Sequence, residues 1–410
     1  MINEHIDIII FISFFGVKKM GYKYAVIGAG MQGTACAYDM AKFGDAESVV
    51  LADIDIEKAI KATDRVNKLL GKNIVRAEKL NVKNEEETVK FLTGIDSFLS
   101  AASYHFNVQV AKAAIKAKAS MCDLGGNTDV VRAELELTED AKKAGITIIP
   151  DCGLMPGMGN TLAVYGMSKL DSCDEVQIRC GGLPQKPKPP LDYKLVFNIG
   201  GLTNEYFGKA FILRNAKVTE IDTFDELEEI EFPEPVGKCE AFTTTGGTST
   251  CPWTYEGKIS TYEYKTVRYK GHYDKFKTML DLGLLDTEPV KVGENKISPR
   301  DLFHTVVAPK IDFPEDKDLV VLRAVCKGKR NGKDTEITLD IMDFHDDETG
   351  FTAMERTTAY PASIVAIMLA KGEIQKGSIS LENGIDGAKF VTELRRRGIK
   401  LSEVEKTMIS

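Results

Sequence analysis

The stretch YAVIGAGMQGTACAYDMAKFGDAESVVLAD, residues 24–53, decides how this chain is read. It runs as a short apolar strand, a glycine-rich turn, an amphipathic helix, a second apolar strand and a terminal acid. Gly28, Gly30 and Gly33 stand in G-x-G-x-x-G spacing, and Asp53 follows the last of them by 20 residues. In such a pattern the first glycine permits the tight turn, the second lets backbone approach a pyrophosphate, and the third lets helix pack on strand. The free N–H groups that open the helix then form an anion site. A glycine pattern alone is a weak signal, but here strand, helix and acid all fall where a dinucleotide needs them. With their neighbours Ala29, Met31, Gln32 and Ile54, these residues form the expected cofactor pocket. A carboxylate at Asp53 accepts hydrogen bonds from ribose hydroxyls and repels a 2′-phosphate, and ADIDIEK around it holds no arginine. NAD is therefore favoured over NADP, with Lys58 and Lys61 the nearest cations.

Outward from this unit the alternation continues. Residues 57–70, 85–92, 108–119 and 133–144 have helical patterning, and 73–82, 97–102, 121–124 and 146–149 read as strands. Six strands with intervening helices predict a doubly wound parallel sheet over residues 20–150. Ligands bind beyond the carboxyl ends of such strands. That rule adds Asn81 and Val82, then Ala101, Ala102, Ser103 and Tyr104 near the middle of the cofactor. Leu124, Gly125, Gly126 and Asn127 follow near the nicotinamide, with Met155 in the crossover at 151–158.

From residue 151 to 350 the pattern changes to a second, α+β domain. A helix opens at Pro156, and VQIRCGG, YKLVFNIGG and KVTEIDTF read as strands around a proline-rich loop at 183–190. Later strands at 259–268, 318–327 and 336–344 complete a mixed or largely antiparallel sheet, one face of which should cover the cofactor cleft. In the tail, 351–410, Thr352 and Glu355 have capping-box spacing, and PASIVAIMLAKG from Pro361 is apolar nearly all round. Such a helix must be buried, so it should pack back on the first domain. The segment FVTELRRRGIK reads as a charged surface helix.

Composition bounds the function. A chain of 410 residues exceeds one hydrophobic core. A net charge of −8 argues against general nucleic-acid binding. The eight cysteines lack C-x-x-C or zinc spacing and read as reduced thiols, with disulfides expected only in a hyperthermophile. Residues 1–19 are an extension whose apolar run at 8–17 is too short to span a bilayer and follows Glu4 and Asp7 rather than basic residues. A cytoplasmic protein without a membrane anchor is expected, with Met20 an alternative start.

The richest polar stretch of the second domain is TYEYKTVRYKGHYDK, 261–275. As a strand it turns Tyr262, Tyr264, Thr266 and Arg268 to one face and Glu263, Lys265 and Val267 to the other. Arg268 can clamp a carboxylate, Lys265 can add charge or move a proton, and His272 can titrate near neutrality. A solvated charged strand with an exit turn is the competing reading. The run Asp343, His345, Asp346, Asp347 and Glu348 reads as a solvated acidic turn, so no metal is expected. His304 reads as a satisfied interior histidine.

GAGMQG with Asp53, CDLGGN at 122–127, the crossover at 151–156, GGLP at 181–184 and YKTVRYKGH at 264–272 resemble the saccharopine dehydrogenase-like family, nearest its L-lysine 6-dehydrogenase branch. The resemblance runs from Met20 to about Leu394. It implies a Rossmann domain carrying an inserted α+β domain and NAD-dependent oxidative deamination of the ε-amine of L-lysine, a small amino-acid substrate. For that chemistry, position and residue type make Arg268 the candidate for the α-carboxylate, Lys265 and His272 candidates for proton carriers or orienters, and Glu205 and Asp123 candidates to face an ammonium. The tail stretch SISLENGI departs from the proline-containing pattern of relatives, which leaves its docking open. Two alternatives remain: a saccharopine- or carboxynorspermidine-type reductase, with Arg179 or Arg323 as a second carboxylate clamp, and a non-catalytic NAD-binding module. An exposed sheet face makes a homodimer the expected assembly.

Overall fold

The computed structural model describes residues 21–407, so the amino-terminal extension and its alternative start lie outside the described residues. The opening stretch folds as β1 (Tyr22–Ile27), α1 (Met31–Phe43) and β2 (Ala46–Asp53). Then come α2 (Ile56–Leu70), β3 (Val75–Lys79), α3 (Glu85–Leu92), β4 (Ser97–Ser100), α4 (Asn107–Ala117), β5 (Ser120–Asp123), α5 (Thr128–Leu135), α6 (Thr138–Ala144) and β6 (Thr147–Ile149). The strands pair in parallel in the order β3-β2-β1-β4-β5-β6, so the winding reverses between β1 and β4. This is the doubly wound sheet, and its switch point places a crevice over the glycine turn.

The helix expected at 133–144 is two helices. Asn127 caps α5 by accepting from the N–H groups of Asp129 and Val130, which starts the helix at Thr128, and the chain turns at 136–137 before α6.

α7 (Met158–Met167) leads to the second sheet. Its members are β7 (Ser172–Pro184), β8 (Lys209–Arg214), β9 (Lys217–Asp222), β10 (Glu228–Phe232), β11 (Gly237–Thr243), β12 (Thr261–Tyr269), β15 (Asp318–Arg330), β16 (Lys333–Phe344) and β18 (Leu401–Thr407). β7 and β12 run parallel and the other pairs antiparallel, which makes the sheet mixed. Between them lie α8 (Ile199–Glu205), α9 (Cys251–Thr254), α10 (His272–Asp281), the separate hairpin β13 (Val290–Val292) with β14 (Asn295–Ile297), and α11 (Pro299–Ile311).

The strand expected at 193–201 does not form. Asn198 instead caps α8 by accepting from Gly200 N–H, while Tyr193 and Val196 are buried as packing residues without a ladder partner.

α12 (Ala353–Ala370) explains how the two sheets hold together. Thr352 and Glu355 make the reciprocal capping box, and the Asp318 carboxylate adds bonds to the N–H groups of Ala353 (2.8 Å) and Met354 (2.9 Å). The helix therefore begins before Pro361, which lies inside it. It packs on α1, β4 and β5 on one side and β15 on the other, and Ser97 Oγ bonds the Ala366 carbonyl at 2.6 Å. The chain then adds β17 (Gly377–Ser378) in parallel to β6, a seventh strand of the first sheet that its two-residue length hid in the sequence. α13 (Leu381–Gly384) and α14 (Gly387–Arg396) follow. α14 is less exposed than its charges suggest: Phe390, Val391 and Leu394 are buried, and Arg397 just beyond it pairs with Asp39 of α1 where neither side chain has any exposed surface. Among the described residues no helix is long and apolar enough to cross a membrane.

Candidate active site

The glycine turn has the geometry its spacing predicts. Gly28 has φ 104°, and a Cβ on it would lie 2.7 Å from the Ala101 carbonyl oxygen. A Cβ on Gly33 would lie 1.8 Å from the carbonyl oxygen of Gly28, so that glycine sets the closeness of helix to strand. Gly30 faces open space and caps α1 without a side-chain bond, leaving the first N–H groups of the helix free for an anion.

Asp53 ends β2 beside this turn. Its Oδ2 accepts from Ala29 N–H (2.8 Å) and its Oδ1 from Asp55 N–H (3.0 Å), which fixes the carboxylate at the rim. Ile54 beyond it is 62% exposed, a flat apolar surface next to the acid. Met31 stands exposed at the helix start. Asn81 and Val82 follow β3, where Gln109 Nε2 bonds the Val82 carbonyl. The turn 101–104 follows β4, with Ala101 against Gly28, then Ala102, Ser103 and Tyr104. The Tyr104 ring lies against Gly126, linking that turn to the loop 124–127. These residues all lie at the carboxyl ends of the parallel strands, and Tyr104, Gly126 and Asn127 line a common recess there.

The crevice opens into a cavity between the two sheets. Gln32, Leu124, Leu154 and Met155 form its floor; Gly181 and Gly182 of β7 and Tyr264 and Arg268 of β12 form its roof; Phe197, Glu205 and Met354 close the sides. Arg268 is 3% exposed. Its Nε donates to the Tyr206 hydroxyl (2.7 Å), one terminal nitrogen donates to the Val267 carbonyl (2.9 Å), and the other lies 3.6 Å from Glu205 Oε2. The guanidinium also stacks over the Tyr193 ring at 5.0 Å. Glu205 ends α8 with 31% of its side chain open to the cavity. Its depth in the wall pushes its carboxyl up to about 7, against the opposing pull of Arg268.

Three expected site residues lie elsewhere. Lys265 sits on the opposite face of β12 from Arg268, where its Nζ donates to Glu228 (2.9 Å) in a network with Arg179, Arg214, Glu226 and Glu263. Strand alternation alone forbids Lys265 and Arg268 from sharing a cavity. His272 has no exposed surface; Nδ1 contacts the Leu191 carbonyl (3.1 Å) and Nε2 the Tyr206 hydroxyl (3.0 Å). A carbonyl only accepts, so Nδ1 carries the proton and Nε2 accepts from Tyr206. Burial, then the Arg268 charge, hold its pKa well below the usual histidine value, so it is a neutral support behind Arg268 and not a proton carrier. Asp123 is fully buried beneath the loop it starts and faces no cavity. The two arginines considered as a second clamp also point away: Arg179 belongs to the outer network, and Arg323 forks onto Asp340 at 2.7 and 2.8 Å.

Tyr206 and Tyr193 were not singled out by the sequence. Both earn their place only by contact with Arg268, and no spacing marks them, although Tyr206 directly follows Glu205. The acidic turn is held internally, Asp343 by Arg356 and Asp346 by Thr349. Among the described residues no His, Cys, Asp and Glu group is arranged to hold a metal ion.

Comparison with known proteins agrees with this architecture. Two family models match: "Saccharopine dehydrogenase NADP binding domain" over residues 24–149 and "Saccharopine dehydrogenase C-terminal domain" over residues 153–399. Alpha-aminoadipic semialdehyde synthase of Mus musculus is 25% identical over 398 residues, covering 79% of this chain and 42% of its own length. The chain thus spans less than half of that relative. Carboxynorspermidine synthase of Vibrio cholerae is 24% identical over 383 residues, covering 85% of this chain and 88% of the relative. Saccharopine dehydrogenase (NADP(+), L-glutamate-forming) of Saccharomyces cerevisiae is 23% identical over 292 residues, covering 69% of this chain and 64% of the relative. In fold, the apo saccharopine dehydrogenase (L-Glu forming) structure from Saccharomyces cerevisiae superposes with a TM-score of 0.75 at 20% identity, covering 95% of this chain and all of that one.

Proposed function

Because the chain belongs to the saccharopine dehydrogenase family, we propose that it is a nicotinamide-dependent oxidoreductase that oxidises the C–N bond of a lysine-type amino acid, with L-lysine and its ε-amine as the substrate and NAD as the cofactor. The observation that carries this reading is the pairing of Arg268 with Glu205 on the cavity wall opposite the loops 124–127 and 151–158.

The open Gly30 face, the free N–H groups of α1 and the Asp53 carboxylate suit a pyrophosphate and an unphosphorylated ribose. The bound nicotinamide supplies the hydride acceptor. Arg268 has one terminal nitrogen directed to the cavity beside Glu205, where it would take the α-carboxylate. Oxidation of an amine needs its neutral form, and Glu205, with a carboxyl poised near neutrality, would accept the ammonium proton. Phe197, Tyr264 and Met354 add apolar surface to the cavity beside Arg268 and Glu205.

A reductive reading is favoured by a different observation. Beside the cavity a polar recess is lined by Tyr104, Asn127, Asp129, Asn204, Lys209 and Thr245, space that lysine does not need and a two-headed saccharopine-like substrate would use. A turnover assay with both cofactors separates the readings. NADH formation from L-lysine is the expected result; oxidation strictly dependent on saccharopine, or consumption of NADPH strictly dependent on an aldehyde plus an amine, assigns the saccharopine- or carboxynorspermidine-type reaction instead. Dinucleotide binding without turnover of any of these would make the chain a binding module.

A further inference from the structure

Three carboxyl groups lie together under the loops that border the nicotinamide half of the cleft. Asp123 ends β5, Glu134 is in the last turn of α5, and Asp151 follows β6 in the left-handed region at φ 62°. Their exposures are 0%, 0% and 3%. The charges acting on them are one another and Glu382 of α13 beyond Asp151, all negative. Glu382 itself is bonded by the Thr250 and Thr254 hydroxyls.

The bonds they make are specific. Asp123 Oδ1 accepts from the N–H groups of Gly125 (2.6 Å) in the loop 124–127 and Asp151 (3.2 Å) at the start of the loop 151–158. Asp151 Oδ2 accepts from the Ser249 hydroxyl, which belongs to the second-sheet loop 244–250. Asp151 Oδ1 packs so closely on Gly125 that a Cβ there would lie 1.8 Å from it. Asp123 Oδ2 and both Glu134 oxygens have no donor among the described residues. Glu134 and Asp123 nevertheless act on one another directly, each side chain shifting the acidity of the other through a mutual hydrogen bond. Two facing carboxylates repel in a buried site unless a proton lies between them, and a shared proton turns the contact into a strong charge-assisted bond.

We propose that Glu134 is a positioning residue for the cofactor loop: it remains protonated and donates to Asp123 Oδ2, so that Asp123 stays an anion and its Oδ1 holds the Gly125 and Asp151 amides in place. The order of acidity agrees. Burial, then Asp123 and Asp151, push Glu134 up much further than Asp123, whose own rise from burial is offset by its two backbone N–H bonds. Asp123 is thus the better anion of the pair, and Asp151, pushed up to about 8 by burial and by Asp123, does not compete for that role. The arrangement rests on the family's dinucleotide-binding domain and is independent of which amine is oxidised.

The test needs no substrate. In the full-length protein, Glu134→Gln keeps a donor toward Asp123 and Glu134→Leu removes it. Binding is measured by titration with NADH and with ADP-ribose, which lacks the nicotinamide that the loop borders. Glu134→Gln is expected within about twofold of the parent for both ligands, and Glu134→Leu is expected to weaken NADH by about tenfold or more with ADP-ribose changed by less than about twofold. Infrared spectra should show the carbonyl stretch of a protonated carboxylic acid that disappears in Glu134→Gln. Equal NADH affinity in Glu134→Leu, or equal damage by both substitutions, overturns the proposal. So does equal loss of both ligands. The infrared difference uses only the shape-conserving variant; an unchanged acid band there overturns the proposal even if Glu134→Leu does not fold.

Discussion

Arg268 Nε donates a 2.7 Å hydrogen bond to the Tyr206 hydroxyl, and that hydroxyl donates in turn to His272 Nε2 at 3.0 Å. The guanidinium is therefore aimed from behind by a neutral, buried chain. An acid in the same place would neutralise it; a phenol and a neutral imidazole orient it and leave its charge for an anion in the cavity.

Tyr206→Phe removes that support without opening a cavity. Leaving Arg268 Nε unpaired costs about 1–3 kcal/mol, and the loss should fall on substrate placement. The expected result is a KM for the amino acid raised about tenfold or more, with kcat changed less and NADH affinity unchanged. Steady-state kinetics beside an NADH titration checks this; an unaltered KM would remove Tyr206 from the aiming role.

Glu205 gives the pH dependence a definite sign. With its carboxyl near 7, the base form grows as pH rises through neutrality, so kcat/KM for amine oxidation should climb across that range and flatten above it. Glu205→Gln should abolish this limb and lower the plateau. Stability runs the other way. A carboxyl raised on folding from its ordinary 4.5 to about 7 binds protons more tightly in the native chain, so native stability falls as pH rises through that window. Glu205→Gln escapes this loss, which melting curves at the two ends of the window would reveal.

The glycine turn separates folding from ligand contact. Gly33→Ala puts a Cβ 1.8 Å from the Gly28 carbonyl oxygen and should lower Tm by several degrees or prevent folding. Gly30→Ala meets nothing within 4 Å in the protein, so Tm should hold while NADH affinity falls. If Gly30→Ala binds NADH as well as the parent, no pyrophosphate lies over that residue.

On the proposed NAD reading, Asp53 is the group that distinguishes the cofactors. Asp53→Ala should weaken NADH by about tenfold through loss of the ribose bonds and of the support at Ala29. NADPH, no longer facing a carboxylate, should lose less or gain. A parent protein that binds NADPH more tightly than NADH would reverse the NAD assignment.

Much of this molecule is legible along the chain because the relevant physics is local. The glycine spacing and Asp53 specify a turn, a helix start and an acid within one strand–helix–strand unit. Thr352 and Glu355 specify a helix start within four residues, and period-two alternation along β12 places Tyr264 and Arg268 together and Lys265 opposite. That last pattern stood against the expected joint role of Lys265 and Arg268, and the structure bears the pattern out over the expectation. Asn198 shows the limit: the apolar run around it resembles a strand, but a capping side chain and the packing of Tyr193 win.

What the sequence by itself determined is the doubly wound sheet, its dinucleotide turn, the acid at its rim and the mixed second sheet. Only the tertiary structure decided which face of β12 meets the cleft, that His272 is a buried neutral support, that Tyr206 and Tyr193 hold Arg268, and that Asp123, Glu134 and Asp151 meet under the cofactor loop. The reason is physical. Caps, turns and strand alternation are set by neighbours within a few residues. Burial, charge pairing and pKa are set by residues brought together from distant strands, such as Asp123 with Asp151 or Asp39 with Arg397, and no local spacing encodes them.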